Sequence, residues 1–370
     1  HEGRCAVRIL VYPDDLNMGG SQLNAIELAA ALRDLGHECV IYGRPGVLCD
    51  RIEALGLEFI SSPDPGRRPS VRVARDLHQV AGQRGIDLIH GYEWPPGLEA
   101  GITSRRWPHV ASVCTVMSMA VAPFIPRWMP LVVGTGQIAA HEREHGRPVV
   151  HLLEPPVDLH HNRPVAGSTL TAFRVRWGDR DRPIHLCVGR LATELKSEGV
   201  LAAIDVAARF AGGPDRFQLL LVGDGPARPL IEAAAAAANE RAGADIVVLT
   251  GELADPRPAY AVADVVLGMG GSALRSLAFS KPLIVQGERG FYKTLSPPSA
   301  DTFLWQGWYG VGDGSPTGPD TLAAELSPLL RSADERHRLG EFGNHLVQRF
   351  SLERAAERQL QIYQEAAVAS

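Results

Sequence analysis

Cys187-Val188-Gly189-Arg190-Leu191-Ala192-Thr193-Glu194-Leu195-Lys196-Ser197 continues an apolar run that starts at Ile184. Ile184–Val188 reads as a short buried strand, and the residues from Ser197 to Phe210 carry the periodicity of a helix. Between them stand a glycine, an arginine, and a lysine six residues beyond the arginine. In an α/β domain such a loop lies at the carboxyl edge of a parallel sheet, where ligands bind. Arg190 can grip a diphosphate with its planar fork and Lys196 as a point charge, and the two can neutralise a departing phosphate. The bland alternative is two solvated surface cations, and the strand-glycine setting counts against it.

The same grammar extends on both sides. Downstream, strands are expected at Gln218–Val222, Ile246–Leu249, Val265–Leu267 and Pro282–Gln286. Helices are expected near Ala227–Ala242, Pro258–Ala263 and Leu274–Phe279, then from about Asp320 to Phe350 and from Leu352 to Ala367. Upstream, strands at Arg8–Tyr12, Cys39–Tyr42, Glu58–Ser61, Asp87–His90, His109–Cys114, Leu131–Gly134 and Val149–Leu153 alternate with helices near Ser21–Leu35, Val47–Leu55, Ser70–Arg84 and Gln137–His145. The break is at Glu154-Pro155-Pro156-Val157-Asp158. The fold class is therefore α/β, with two doubly wound Rossmann-like domains facing across a cleft. Residues 1–157 form the first, completed by a C-terminal helix over 352–370, and residues 158–351 form the second.

Composition narrows the function classes. A chain of 370 residues exceeds what one core usually supports, so two domains are the default. With 45% hydrophobic and 21% charged residues it has the profile of a globular protein, and no apolar run approaches the ~20 residues of a membrane span. A net charge of −5 argues against a nucleic-acid partner. The five cysteines, Cys5, Cys39, Cys49, Cys114 and Cys187, form no CxxC pair, so neither a disulfide framework nor a metal site is expected. No apolar targeting segment with a small-residue cleavage site precedes the first strand, and a cytoplasmic location is expected. Of the 37 basic residues only Lys196, Lys281 and Lys293 are lysines, so a lysine in a site-like loop stands out.

Other segments share the edge-loop pattern. Gly19-Gly20 opens the first helix, where free N–H groups and the helix dipole suit a phosphate; the alternative is a plain turn capped by Ser21. Gly223 follows a buried strand in Val222-Gly223-Asp224-Gly225-Pro226. Gly251 and Leu253 follow another strand, where main-chain groups can read a nucleobase. Gly268-Met269-Gly270-Gly271-Ser272-Ala273-Leu274-Arg275 is a Gly-rich turn that repeats the anion-cradle logic and adds an arginine. In the first half, Asp14 and Asp15 are better placed to bind an acceptor than to act as bases. His90 is either a hydrogen-bonded structural histidine or a cleft residue, and Glu93 is an acid-base, acceptor-binding or solvated group. Phe303-Leu304-Trp305-Gln306-Gly307-Trp308-Tyr309 either walls the nucleotide side or packs.

Together these residues resemble the GT-B fold, and in particular the retaining glycosyltransferase family 4. The resemblance rests on the double glycine before the first helix, Pro155-Pro156-Val157-Asp158, Val188-Gly189-Arg190-Leu191 with Lys196, Leu221-Val222-Gly223-Asp224-Gly225-Pro226, the strand into Gly251, Ala263-Asp264-Val265, and Arg349-Phe350-Ser351. It implies sugar transfer from an NDP-sugar to a small-molecule or lipid-linked hydroxyl, without cofactor or metal. It places the donor-diphosphate roles on Arg190 and Lys196, and Glu93, read from its place at the end of a strand, completes the expected catalytic set. Donor contacts fall at Gly19, Gly20, Gly189, Gly223, Gly251, Leu253 and Gly270 to Arg275 (Gly270, Gly271, Ser272, Ala273, Leu274, Arg275), and acceptor contacts at Asp14, Asp15, His90 and Met117. Two positions depart from the family pattern. Arg275 stands about where the second glutamate of a Glu-x7-Glu signature is usual, and Met117 stands where Thr-Val-His is usual. Rival readings on the same fold are a pseudo-glycosyltransferase, a sugar-nucleotide epimerase and a non-catalytic nucleotide-binding homologue.

Overall fold

The computed structural model describes residues 6–107, 109–179, 181–194 and 196–368. Cys5, Leu195 and the last two residues of the expected final helix lie outside them. The chain divides into two compact units, one of residues up to Asp158 with those from Phe350 onward, the other Leu159–Arg349.

The first unit is built from β1 (Arg8–Tyr12), α1 (Gly20–Asp34), β2 (Glu38–Gly43), α2 (Cys49–Ala54), β3 (Glu58–Ser61), α3 (Val71–Arg84), β4 (Leu88–Tyr92), α4 (Trp94–Arg106), β5 (Ala111–Val116), β6 (Leu131–Val133), α5 (Gly136–Glu144) and β7 (Val150–Leu152). Its seven strands run parallel in the order β3-β2-β1-β4-β5-β6-β7. The order reverses at β1 and β4, so the loops after those strands flank the switch point where doubly wound sheets bind ligands. The second unit contributes α6 (Gly167–Trp177), β8 (Ile184–Val188), α7 (Ser197–Phe210), β9 (Gln218–Val222), α8 (Arg228–Ala242), β10 (Val247–Gly251), α9 (Arg257–Val262), β11 (Val265–Gly268), α10 (Gly270–Ala278), β12 (Leu283–Gln286), β13 (Tyr292–Thr294), α11 (Pro297–Gln306), α12 (Gly318–Arg331) and α13 (Ala333–Val347). Its sheet is ordered β10-β9-β8-β11-β12-β13, parallel except for the antiparallel edge strand β13, with the switch point between β8 and β11. The last helix, α14 (Leu352–Val368), belongs to the first unit and packs its apolar stripe of Leu352, Ala356, Leu360 and Tyr363 into that unit's core.

Local chemistry explains most boundaries. Ser70 caps α3 by accepting from the Val73 N–H at 3.3 Å, and Gly85 ends that helix in the left-handed region. The expected single helix from Asp320 to Phe350 is two, because Ser332 is extended and its hydroxyl caps α13 by accepting from Glu335 N–H at 3.1 Å. Helices α4 and α11 stand where no helix is expected from sequence. Both start on a Pro-Pro pair, which reads as a turn but suits the first helical positions, whose N–H groups have no partner within the helix. The expected Gly-rich turn at Gly270 is likewise helical from Gly270 itself. Among the described residues no helix is long and apolar enough to cross a membrane, and Cys39, Cys49, Cys114 and Cys187 are free thiols.

Two histidines lie wholly inside these cores. His90, in the centre of β4, has Nδ1 2.6 Å from the Tyr363 hydroxyl of α14 and Nε2 2.6 Å from Thr115 Oγ1 of β5. His185 of β8 stacks on Phe217 with ring centroids 4.0 Å apart, and neither of its nitrogens has a partner. Burial lowers both to about 3, with the charge of Arg336 adding to the effect at His185. The unfolded chain takes up a proton at the ordinary value of about 6.5, so each site stabilises the fold fully above that pH. The contribution falls by about 1.4 kcal/mol per pH unit as pH drops from there toward 3. Replacement His185→Phe keeps the ring stack and removes the titration. It is expected to reduce the loss of stability between pH 6.5 and 5 by about 2 kcal/mol in urea unfolding; parallel slopes for variant and wild type would contradict the assignment.

Candidate functional site

The carboxyl edge of the second sheet gathers four of the segments singled out from sequence. Gly189 and Arg190 leave β8, Gly223 leaves β9, Gly251 ends β10 with Leu253 just beyond, and Gly270 opens α10 after β11. The turns after β8 and β9 are bonded directly to each other. Gly189 N–H donates to Val222 O at 3.0 Å, Leu191 N–H to Asp224 O at 2.9 Å, and Ala227 N–H to Leu191 O at 2.9 Å, while Gly223 N–H reaches Gly251 O at 2.9 Å. This contact requires the second glycine: Gly223 has φ +137°, and a methyl group on it would fall on the Gly189 carbonyl.

The clasp sets out the cations. Lys196 occupies the N-cap position of α7, and its ammonium lies 3.2 Å from where a side chain on Gly189 would begin. It is half-buried, and burial lowers its pKa, an effect that the neighbouring Arg190 charge reinforces and the Cys187 thiol opposes. Arg190 is exposed. Neither side chain has a hydrogen-bond or ion-pair partner among the described residues. A desolvated, unpaired ammonium is costly in the absence of an anion, so the site is set to receive one. In the first turn of α7, Tyr292 donates its hydroxyl to Gly199 O at 2.7 Å, and the Gln286 side chain is buried with its Oε1 unpartnered among the described residues. Sequence gives no hint of this contact, since Tyr292 is 93 positions from Gly199.

At α10 the structure corrects part of the expectation. The Gly270 N–H is taken by Trp308 O at 2.8 Å and the Ser272 hydroxyl by Met269 O at 2.9 Å. Ala273 and Leu274 are fully buried, which removes their side chains from any ligand. Arg275 is half-buried and has no carboxylate partner. In the aromatic segment, Phe303 and Trp308 stack on each other inside the fold with centroids 5.7 Å apart, whereas Trp305 is exposed. The first pair packs rather than walling a ligand.

The first sheet's edge is differently furnished. Gly19 is the extended N-cap of α1 and Gly20 its first residue, with the Gln22 side chain folded across Gly19. Asp14 pairs with Arg68 and, at 3.6 Å, with Arg44, while Asp15 pairs with Arg44 at 3.3 Å. Arg68 in turn donates to Glu99 at 2.6 Å and to the Tyr12 hydroxyl at 2.9 Å. Glu99 is wholly buried and also accepts from Tyr12 at 2.8 Å and from Ser70 N–H at 2.7 Å. Glu93 sits at φ +66° as the N-cap of α4, its carboxylate accepting from Met117 N–H at 2.9 Å and Ser118 hydroxyl at 2.6 Å. It orders the loop after β5 in this geometry. His90 is a correction: fully buried with both nitrogens bonded, it is a structural post between sheet and α14 and does not face an acceptor.

Two family models match the chain, one in each unit: Glycosyltransferase Family 4 over residues 18–134 and Glycosyl transferases group 1 over residues 182–297. Together they cover more than half of it. The chain belongs to the GT-B glycosyltransferases. Solved structures agree at the level of fold. A glycosyltransferase from Rickettsia africae superposes with a TM-score of 0.78 at 14% identity, covering 98% of this chain and 100% of that one. Anabaena Alr3699/HepE in complex with UDP gives 0.75 at 14% identity over 97% and 100%. The catalytic domain of Arabidopsis thaliana starch synthase IV bound to ADP and acarbose gives 0.71 at 13% identity over 98% and 100%. No curated protein sequence matches. In this GT-B chain the β8–β9 clasp is expected to be intolerant of any side chain. Gly223→Ala should cost about 2 kcal/mol or more and weaken nucleotide binding with it, read by thermal unfolding and titration calorimetry. An unaltered melting point would contradict the close approach.

Proposed function

We propose that this chain is a retaining glycosyltransferase that moves a sugar from an NDP-sugar to a hydroxyl acceptor, with the donor in the second unit and the acceptor in the first. The observation that carries the reading is the pair Arg190 and Lys196, unpaired at the carboxyl edge of a parallel sheet and held by the β8–β9 clasp. The structural neighbour HepE is described in complexes with UDP and with UDP-glucose, and starch synthase IV with ADP, which supports a nucleoside diphosphate as the gripped group.

In this scheme Arg190 and Lys196 neutralise the charge that builds on the diphosphate as the glycosidic C–O bond breaks, and they need no metal to do so. A leaving-group oxygen takes the acceptor proton, so no side-chain base is needed. Glu93 then shapes the acceptor loop through Met117 and Ser118 rather than moving a proton. Asp14 and Asp15 offer acceptor hydroxyls their remaining lone pairs, and Gly19 and Gly20 present the first-turn N–H groups of α1 to a phosphate. A cytoplasmic setting suits such a donor, and a small or lipid-linked hydroxyl suits such an acceptor.

Arg190→Ala and Lys196→Ala are each expected to lower transfer by about 10²–10³-fold, as removal of a preorganised charge-stabilising donor does elsewhere. Melting points should stay within a degree or two of wild type, because neither side chain supports the fold. Radiolabelled-donor transfer assays check the first expectation and calorimetry the second. Full activity in either variant would remove the clamp from the mechanism.

A further inference from the structure

The loop between β5 and β6 in the first unit carries large apolar side chains that the core does not take. It runs along α4: Phe124 meets Trp94 edge-to-face with ring centroids 5.0 Å apart, and the Arg105 guanidinium lies over the Trp128 ring at 5.5 Å. Ile125 and Met129 are buried anchors. Between them the main chain is held by buried Arg147, which donates to Ile125 O at 3.1 Å and to Pro126 O at 2.8 Å. The residues just before the two anchors stay outside, Phe124 at 53% exposure and Trp128 at 45%. On α4, a side chain on Gly101 would begin 3.6 Å from the Trp128 ring, and its neighbour Ile102 is 44% exposed. Single exposed hydrophobic residues are ordinary, but two large aromatics and an isoleucine gathered on one fixed loop and the helix beside it mark a binding surface.

Charge decides what this surface fits. From Ala100 to His141 the sequence holds Arg105, Arg106 and Arg127 and no aspartate or glutamate, in a chain whose net charge is −5. All three arginines are exposed, and none has an ion-pair partner among the described residues. The core of a protein interface is depleted of charge, whereas here cation and ring are interleaved, Arg105 lying on Trp128 itself. Such a mixture matches the headgroup layer of a bilayer, where tryptophan settles, apolar tips reach the acyl boundary and cations meet anionic lipid. We infer that this face of the first unit docks on an anionic lipid bilayer, with Phe124, Trp128 and Ile102 entering it and Arg105, Arg106 and Arg127 on the headgroups. The same loop opens with Met117 and Ser118, which Glu93 holds at the carboxyl edge of the sheet. Docking therefore brings the edge assigned to the acceptor close to the membrane, where a lipid-linked hydroxyl resides. That last step rests on the transfer reading above; the docking surface does not.

Vesicle flotation of the full chain tests it, with phosphatidylcholine vesicles and with vesicles in which about 30% of the lipid is phosphatidylglycerol. Wild type is expected to float with the anionic vesicles at least about tenfold more than with the neutral ones, since each arginine at a charged surface contributes roughly a fivefold gain. The triple variant Arg105→Gln, Arg106→Gln, Arg127→Gln should lose that preference. The double variant Phe124→Ser, Trp128→Ser should lower flotation about tenfold or more on the anionic vesicles. All five side chains are exposed, so both variants should melt within about 2 °C of wild type. A wild type that floats with neither vesicle would overturn the inference and leave a protein partner as the reading of the patch. Equal flotation with both vesicles would overturn it through the charge, and these two comparisons do not depend on the variants folding. Folded variants that float like wild type would place membrane binding on another face, also against the inference. UDP titration calorimetry on the same wild-type sample keeps the readings apart: a chain that floats with anionic vesicles but binds no UDP would overturn the donor reading and leave the docking surface standing.

Discussion

The main-chain contact between the turns after β8 and β9 is the constraint on which the candidate donor site depends. Gly189, Leu191 and Ala227 donate to Val222, Asp224 and Leu191, and the two turns approach so closely that a side chain at Gly223 has no room. Backbone hydrogen bonds of this kind tie a loop as firmly as a sheet ladder ties a strand. Their effect is to fix where the chain leaves β8 and so where Arg190 departs and where α7 begins with Lys196. A preorganised cation stabilises a developing charge without reorganising at the moment of reaction, and in the transfer proposed above the clasp is what would hold the main chain of the two cations in place.

In the first unit an ionic network does the comparable job. Glu99, fully buried, accepts from Tyr12, Arg68 and the Ser70 main chain at once, and Arg68 extends that anchor to Asp14 at the edge. A buried carboxylate is tolerable only with its lone pairs so occupied. The network joins β1, the segment before α3, and α4, so removal of either charge leaves the other desolvated and alone, which typically costs about 3–5 kcal/mol. Its placement beside Asp14 makes it a positioning device for the edge as well as a source of rigidity.

How far sequence reaches is visible in particular elements. Strands β1, β3, β8 and β9 and helix α7 are found at the bounds that their apolar runs indicate, because each is a short hydrophobic stretch closed by glycine or a polar turn. Helices α4 and α11 are not, since Trp94-Pro95-Pro96-Gly97 and Pro297-Pro298 carry turn composition while using proline where a helix accepts it. Helix α6 has no fully buried residue and hence no apolar stripe to read. The same division holds for the site. Arg190, Lys196 and the glycines lie in one loop each and are legible, whereas the Arg68–Glu99 pair spans 31 positions and Tyr12–Glu99 spans 87, contacts that only the packed fold brings about. His90 is legible as either a hydrogen-bonded structural histidine or a cleft residue, and the choice between them is not, because its Tyr363 partner is 273 positions away.

The two sheet edges, each considered within its own unit, differ in how their charges are spent. At the first edge Asp14 and Asp15 are paired with arginines and Glu93 accepts two hydrogen bonds, so these carboxylates are already engaged. At the second edge Arg190, Lys196 and Arg275 have no partners among the described residues, and Lys196 is already partly desolvated. An unpaired cation near low-dielectric protein attracts an anion more strongly than the same cation in water, while a paired one attracts it hardly at all. In the transfer proposed above, the unpaired cations suit the charged donor, and the partnered carboxylates of the first unit suit an uncharged hydroxyl.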